Sequence, residues 1–140
     1  MPFETRWLIA NRVVYQRFYG DVTIEEFADS VAEIRQFIDS GTPLVHAIGD
    51  LTTVQKYPSL IQMSKVAQSN PTLPNVGWTV LLVTNPLLRF FGTVLAQFTV
   101  ERIRTVGTLQ EAMQFLLSRD QTIPTADNAN NEARDGNGSS

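Results

Sequence analysis

The chain predicts a single α/β domain: a mixed five-stranded sheet in the order β-β-α-β-α-β-α-β-α, with an antiparallel N-terminal strand and helices on both faces. Three observations predict it. Residues 77–106 (GWTVLLVTNPLLRFFGTVLAQFTVERIRTV) read as a buried strand, a helix opened by Asn85-Pro86 and a short strand, which is one complete βαβ unit. Residues 44–48 (LVHAI) are apolar at every position but one, as expected of a central parallel strand covered on both faces. Ahead of both stand two β-prone runs, residues 5–10 (TRWLIA) and 13–19 (VVYQRFY), separated by Asn11-Arg12. Asn tolerates the positive φ that a two-residue hairpin turn requires, so these runs form the antiparallel pair.

The remaining elements follow in order. Thr23 and Glu26 make a capping box, and Ile24, Phe27, Ala28, Val31, Ile34, Phe37 and Ile38 recur at three- and four-residue steps on a helix that ends at Gly41. Pro43 introduces the third strand, and Gly49 to Thr53 leave it at its carboxyl end. Pro58 sits in the first turn of a second helix with a looser apolar pattern (Leu60, Ile61, Met63, Val66, Ala67). Asn70-Pro71 and Leu73-Pro74-Asn75 force a loop. A strand over residues 78–84 then leads to Asn85 as N-cap and Pro86 at the first helical position.

Down that third predicted helix Leu87, Phe91, Val94, Leu95 and Phe98 share one face, and Leu88 and Phe90 widen the apolar arc beyond what covering a sheet requires. Residues 102–106 make a short outer strand. Arg102 and Arg104 lie on one side of it, as charges that deter edge pairing or, read functionally, as an anion site. Thr108 and Glu111 form a second capping box for a last helix lined by Leu109, Ala112, Met113, Leu116 and Leu117. The domain spans residues 1–120. The tail, 121–140, is small and polar, cannot bury enough surface to offset the cost of ordering, and is expected to be disordered.

Composition narrows function more than it names it. The 140 residues include no cysteine, which removes disulfides, thiolate metal sites and cysteine nucleophiles. Net charge is −3, of which the tail holds most, and the basic residues never form a stripe, so nucleic acid is not an expected partner. The N-terminus lacks a basic start followed by an apolar run, and no run approaches the ~20 apolar residues of a membrane span. A cytoplasmic setting is therefore expected.

The succession of elements resembles the SpoIIAA-like, or STAS, family of anti-sigma-factor antagonists and related modules. The resemblance rests on residues 18–23 (FYGDVT), the strand LVHAIGD with its terminal Asp50, the strand WTVLLVT and the closing GTLQEAMQFL, and covers about residues 5–119. In bacterial regulators of that family a Ser or Thr just after the Asp ending the third strand is phosphorylated by a kinase partner, and the same edge docks that partner. The resemblance thus implies Asp50 as the strand-end acid and Thr52 or Thr53 as the phosphoacceptor. The chain departs from the family pattern in placing Leu51 directly after Asp50 and no Gly before Tyr57.

Candidate sites fall into two groups. Asp50, Thr52, Thr53, Asn85 and Arg89 could share one rim, because open α/β sheets bind ligands beyond the carboxyl ends of their strands. The plainer alternative is that Asp50 and Asn85 cap backbone and the threonines fill a turn. Leu88, Phe90, Phe91 and Val94 form a candidate partner interface, where burial contributes on the order of 1.5–3 kcal/mol per large side chain.

No catalytic or metal-binding set emerges. His46, the only histidine, reads as partly buried against a helix with one nitrogen satisfied. It shares a strand face with Asp50, yet four residues along a strand is ~13 Å, too far for a direct pair. The expected function is a non-enzymatic, cofactor-free protein–protein interaction or regulatory module. It would be a homodimer or would bind an unidentified protein partner. The alternative is a carrier or sensor holding an apolar small molecule between the second and third predicted helices, lined by Met63, Val66, Leu88 and Phe91.

Overall fold

Asn11 turns the chain into its first hairpin: its φ of 67° lies in the left-handed region, and Arg12 N–H donates to the Ile9 carbonyl at 3.0 Å. Strand β1 (Phe3–Ile9) thereby pairs antiparallel with β2 (Val13–Asp21). The structure, a computed structural model, describes residues 3–69, 73–86 and 102–124. After the hairpin come α1 (Ile24–Ser40), β3 (Val45–Lys56), α2 (Leu60–Ser69), β4 (Val76–Leu82), β5 (Arg102–Val106) and α3 (Leu109–Arg119). The sheet order is β1-β2-β3-β4-β5, and every pair after the first is parallel. This is the expected mixed five-stranded sheet with an antiparallel N-terminal strand. The third predicted helix, residues 87–101, lies outside the described residues.

Both helix starts predicted from capping residues are in place. The Thr23 hydroxyl accepts from Glu26 N–H at 3.1 Å while the Glu26 carboxylate accepts from Thr23 N–H at 3.0 Å, closing a full capping box. At α3 the Thr108 hydroxyl accepts from Glu111 N–H at 3.1 Å, but the Glu111 carboxylate reaches the Thr108 hydroxyl rather than its backbone.

The pleat divides the core between two faces, since successive β2 residues point opposite ways. Val14 packs with Ile38 of α1, Val45 and Ala47, whereas Val13 and Tyr15 pack with Ile48, Val80, Leu82 and the α3 residues Ala112 and Leu116. Helix α1 covers one face, α3 the other. Along α1 the expected stripe is corrected at one step: Ala28 is exposed and Ser30 is buried. The Ser30 hydroxyl donates to the Phe27 carbonyl and the Ser30 carbonyl accepts from Gln16 Nε2 at 2.9 Å, so a small polar residue is satisfied where α1 packs on β2.

Boundaries also differ from expectation, with β4 running over Val76–Leu82 rather than residues 78–84. Strand β3 does not end at Asp50: Leu51 to Lys56 continue it, paired with β2 as far as Asp21↔Lys56. The folded body also runs past residue 120, because Ile123 is fully buried in the α3 cluster. None of the described helices is long and apolar enough to cross a membrane.

Candidate functional site

The sheet loses one neighbour at Asp50. Its β4 pairing ends there (Asp50↔Leu82), while β2 pairing goes on with an irregularity, Arg17 opposing Asp50 and Tyr19 opposing Thr53. Three β3 steps thus match two of β2, and a bulge of this kind lifts a backbone N–H out of the ladder. The freed group is that of Thr52, and Asp50 takes it: Oδ1 accepts from Thr52 N–H at 2.9 Å and from the Thr52 hydroxyl at 2.6 Å. On the other oxygen, Oδ2 accepts from the Tyr15 hydroxyl at 2.5 Å.

Those bonds decide the protonation states. Burial raises the Asp50 pKa, but the donors from Thr52 and Tyr15 and the Arg17 charge outweigh it and hold the carboxyl below its ordinary value. Burial, with the adjacent Asp50 carboxylate, pushes the Tyr15 hydroxyl up to about 12. Near neutral pH the site is therefore a fixed anion clasped by a neutral phenol, and neither group is poised to exchange a proton.

The structure describes four of the five predicted rim residues. Asp50 and Thr52 are joined directly. Thr53 turns away, its hydroxyl donating to the Phe18 carbonyl at 2.7 Å. Asn85 is exposed past the end of β4. Arg89, like Leu88, Phe90, Phe91 and Val94, lies outside the described residues.

His46 forms a separate cluster at the opposite end of β3. Its Nδ1 accepts from Trp78 N–H at 2.9 Å, which places the ring proton on Nε2, and Nε2 donates to Asp120 Oδ2 at 2.8 Å. Arg12 donates to the same oxygen at 2.8 Å and to the Thr122 carbonyl at 2.9 Å. The expected half-satisfied histidine is thus wholly buried with both nitrogens engaged. Burial raises the Asp120 pKa, but hydrogen bonds from Thr122 and His46 and the Arg12 charge draw it down to about 2. His46 and Asp50 serve different clusters. Among the described residues no group of three or more acids and histidines is placed to hold a metal.

No protein-family model matches the chain, and no curated protein matches it. Solved structures do. An uncharacterised protein of the DUF3478 family from Shewanella loihica PV-4, described as having a SpoIIAA-like fold, aligns at TM-score 0.60 and 14% identity over 81% of this chain and 91% of that one. The chain has the SpoIIAA-like fold. The anti-sigma factor antagonist SpoIIAA in its unphosphorylated form aligns at TM-score 0.51 and 18% identity, covering 81% of this chain and 96% of that one.

On this SpoIIAA-like sheet the residues missed by sequence reasoning are Tyr15 and Arg17 at the Asp50 end and Arg12 and Asp120 at the His46 end. Alternation in VVYQRFY does put Tyr15 and Arg17 on one face, but only the β2–β3 register, set by contacts distant in sequence, brings them to Asp50. Under α1 and α2 lies a cavity of about 220 Å³ whose described lining includes Phe27, Val31, Ala47, Gly49, Met63 and Leu81. Met63 is the one described residue shared with the pocket expected from the sequence. Val66 is not in the lining, and Leu88 and Phe91 lie outside the described residues.

Proposed function

We propose that the chain is a non-enzymatic regulatory module that engages a protein partner through the exposed strand extension beyond Asp50. One observation carries this reading: Asp50, Thr52 and Tyr15 form a charged, hydrogen-bonded rim where β3 outruns β4. A carboxylate held ionised by three donors has a role in shape and charge recognition rather than in proton transfer. The fold supports the same direction, since SpoIIAA, which shares it, is an anti-sigma factor antagonist and so works on other proteins.

Thr52 is the phosphoacceptor of choice. It is exposed, whereas the Thr53 hydroxyl is tied to β2. A phosphate there adds a charge of about −1.5 to −2 beside the Asp50 anion and removes the hydroxyl proton that Thr52 donates to it, so the rim would rearrange. Tagged full-length protein with Thr52→Glu, compared with wild type by quantitative mass spectrometry of captured proteins, tests the reading. A partner held by wild type and lost by the variant at unchanged unfolding temperature supports it. Identical captured sets would refute it.

Self-association belongs to the same proposal, supported by the surplus of apolar residues among Leu88, Phe90, Phe91 and Val94. Light scattering should give a dimer mass that Phe90→Glu converts to monomer, and a wild type monomeric at high concentration removes this part. The cytoplasm is the proposed location, supported by the absence of cysteine. A second reading rests on the 220 Å³ cavity: an apolar small molecule carried between α1, α2 and the sheet. Met63→Trp would fill that space, and loss of uptake of a fluorescent fatty acid by this variant would favour carriage, whereas no uptake by wild type would exclude it.

A further inference from the structure

Three arginines from two elements meet over one pair of rings. Trp78 of β4 and Phe115 of α3 stand edge to face with centroids 4.8 Å apart. Arg102 lies 5.9 Å from the Trp78 centroid, Arg104 lies 5.0 Å from that of Phe115, and Arg119 reaches both, at 5.8 and 5.2 Å. Strand register explains the convergence. Trp78 pairs with Arg102 and Val80 with Arg104, so both β5 arginines project on the side that α3 covers, where Arg119 closes the helix.

Charges placed only to deter edge pairing need no fixed position, and a flexible lysine would serve. Here the guanidiniums are held over aromatic rings, in a chain whose net charge is −3. Among the described residues no carboxylate pairs with them. Asp120, next to Arg119 in sequence, is held by Arg12 and His46, and Glu101, next to Arg102, lies outside the described residues. All three side chains are exposed.

The guanidiniums cover the ring faces, so the rings are not free to stack a base, and what faces outward is N–H edges. Three guanidinium forks on one ring pair suit a tetrahedral group with three or more oxygens better than a planar carboxylate, which accepts a single fork. We infer that Arg102, Arg104 and Arg119, backed by Trp78 and Phe115, form a binding site for the phosphoryl groups of a small polyanion. It lies where β4 and β5 begin, at the other end of the sheet from Asp50, which pairs with the last residue of β4. The site therefore goes beyond the rim proposed above and stands independently of it.

Trp78 supplies its own reporter. The only other tryptophan, Trp7, packs on Phe37 of α1 across the sheet, 5.4 Å between centroids, so Trp7→Phe isolates the signal. Full-length Trp7→Phe protein is titrated with pyrophosphate at constant ionic strength, with citrate as a carboxylate control. A saturable one-site change in Trp78 fluorescence is expected, weakening as salt rises. Arg104→Gln and Arg119→Gln should each weaken it about tenfold, Arg104→Lys by less, and the exposed control Arg6→Gln not at all, with unfolding temperature reported for each. A non-saturable response, equal affinity in the glutamine variants that remain folded, or citrate binding as tightly as pyrophosphate would overturn the assignment.

Discussion

Gly77→Ala places a methyl group where the His46 ring already is. A Cβ on Gly77 would lie 2.4 Å from His46 Cε1 and 2.5 Å from Nδ1, about 1 Å inside ordinary contact. The ring has nowhere to go: it is 1% exposed, and Nε2 is held by Asp120 on its far side. Overpacking of this kind costs about 1–3 kcal/mol. Displacing the ring also breaks its bonds to Trp78 N–H and Asp120, and leaving buried groups unpaired adds about 1–3 kcal/mol. A total of about 2–6 kcal/mol should lower the unfolding temperature by roughly 6–30 °C in a domain of this size.

The decisive assay is a double-mutant cycle by denaturant unfolding. In a His46→Ala background the methyl group has room, and the Gly77 backbone is not in the left-handed region, so alanine there should cost less than about 1 kcal/mol. A Gly77→Ala cost below about 1 kcal/mol in the wild type, or an equal cost in both backgrounds, would refute the packing argument.

Two titrations test the electrostatics. Asp120 is drawn from 3.8 down to about 2, so its stabilisation is present above pH ~4 and is lost as pH falls through 2. Asp120→Asn should thus be less stable than wild type at pH 5, with the gap narrowing by at most about 2 kcal/mol toward pH 2, and parallel acid limbs in urea unfolding would contradict this. Tyr15 is raised from 10.0 to about 12, so its contribution is complete below pH 10 and is lost as pH climbs toward 12. Tyr19 is also raised, chiefly by its hydrogen bond to Glu4, so absorbance at alkaline pH should show late tyrosine ionisation, of which Tyr15→Phe should remove the step near pH 12.

What the sequence made legible was local. Asn11 in the hairpin, the Thr23–Glu26 box and the apolar LVHAI run each act within a few residues, and each is where its chemistry requires. The strand extension from Leu51 to Lys56 was not legible, because a segment paired on one side only carries Thr, Gln and Lys and reads as a turn. Nor was Ser30 in place of Ala28 on the buried side of α1, since periodicity alone cannot know that Gln16 supplies a donor there. The partners of His46 and Asp50 were hidden for the same reason. Asp120 is 74 residues from His46 and Tyr15 is 35 from Asp50, and only strand order brings them together.

The rim proposal is tested most directly by amide hydrogen exchange on the full chain, alone and with the partner that wild type captures. Slowed exchange confined to residues 15–19 and 50–56 is the predicted result. Protection on α3 and β5 with none at Thr52 would contradict it.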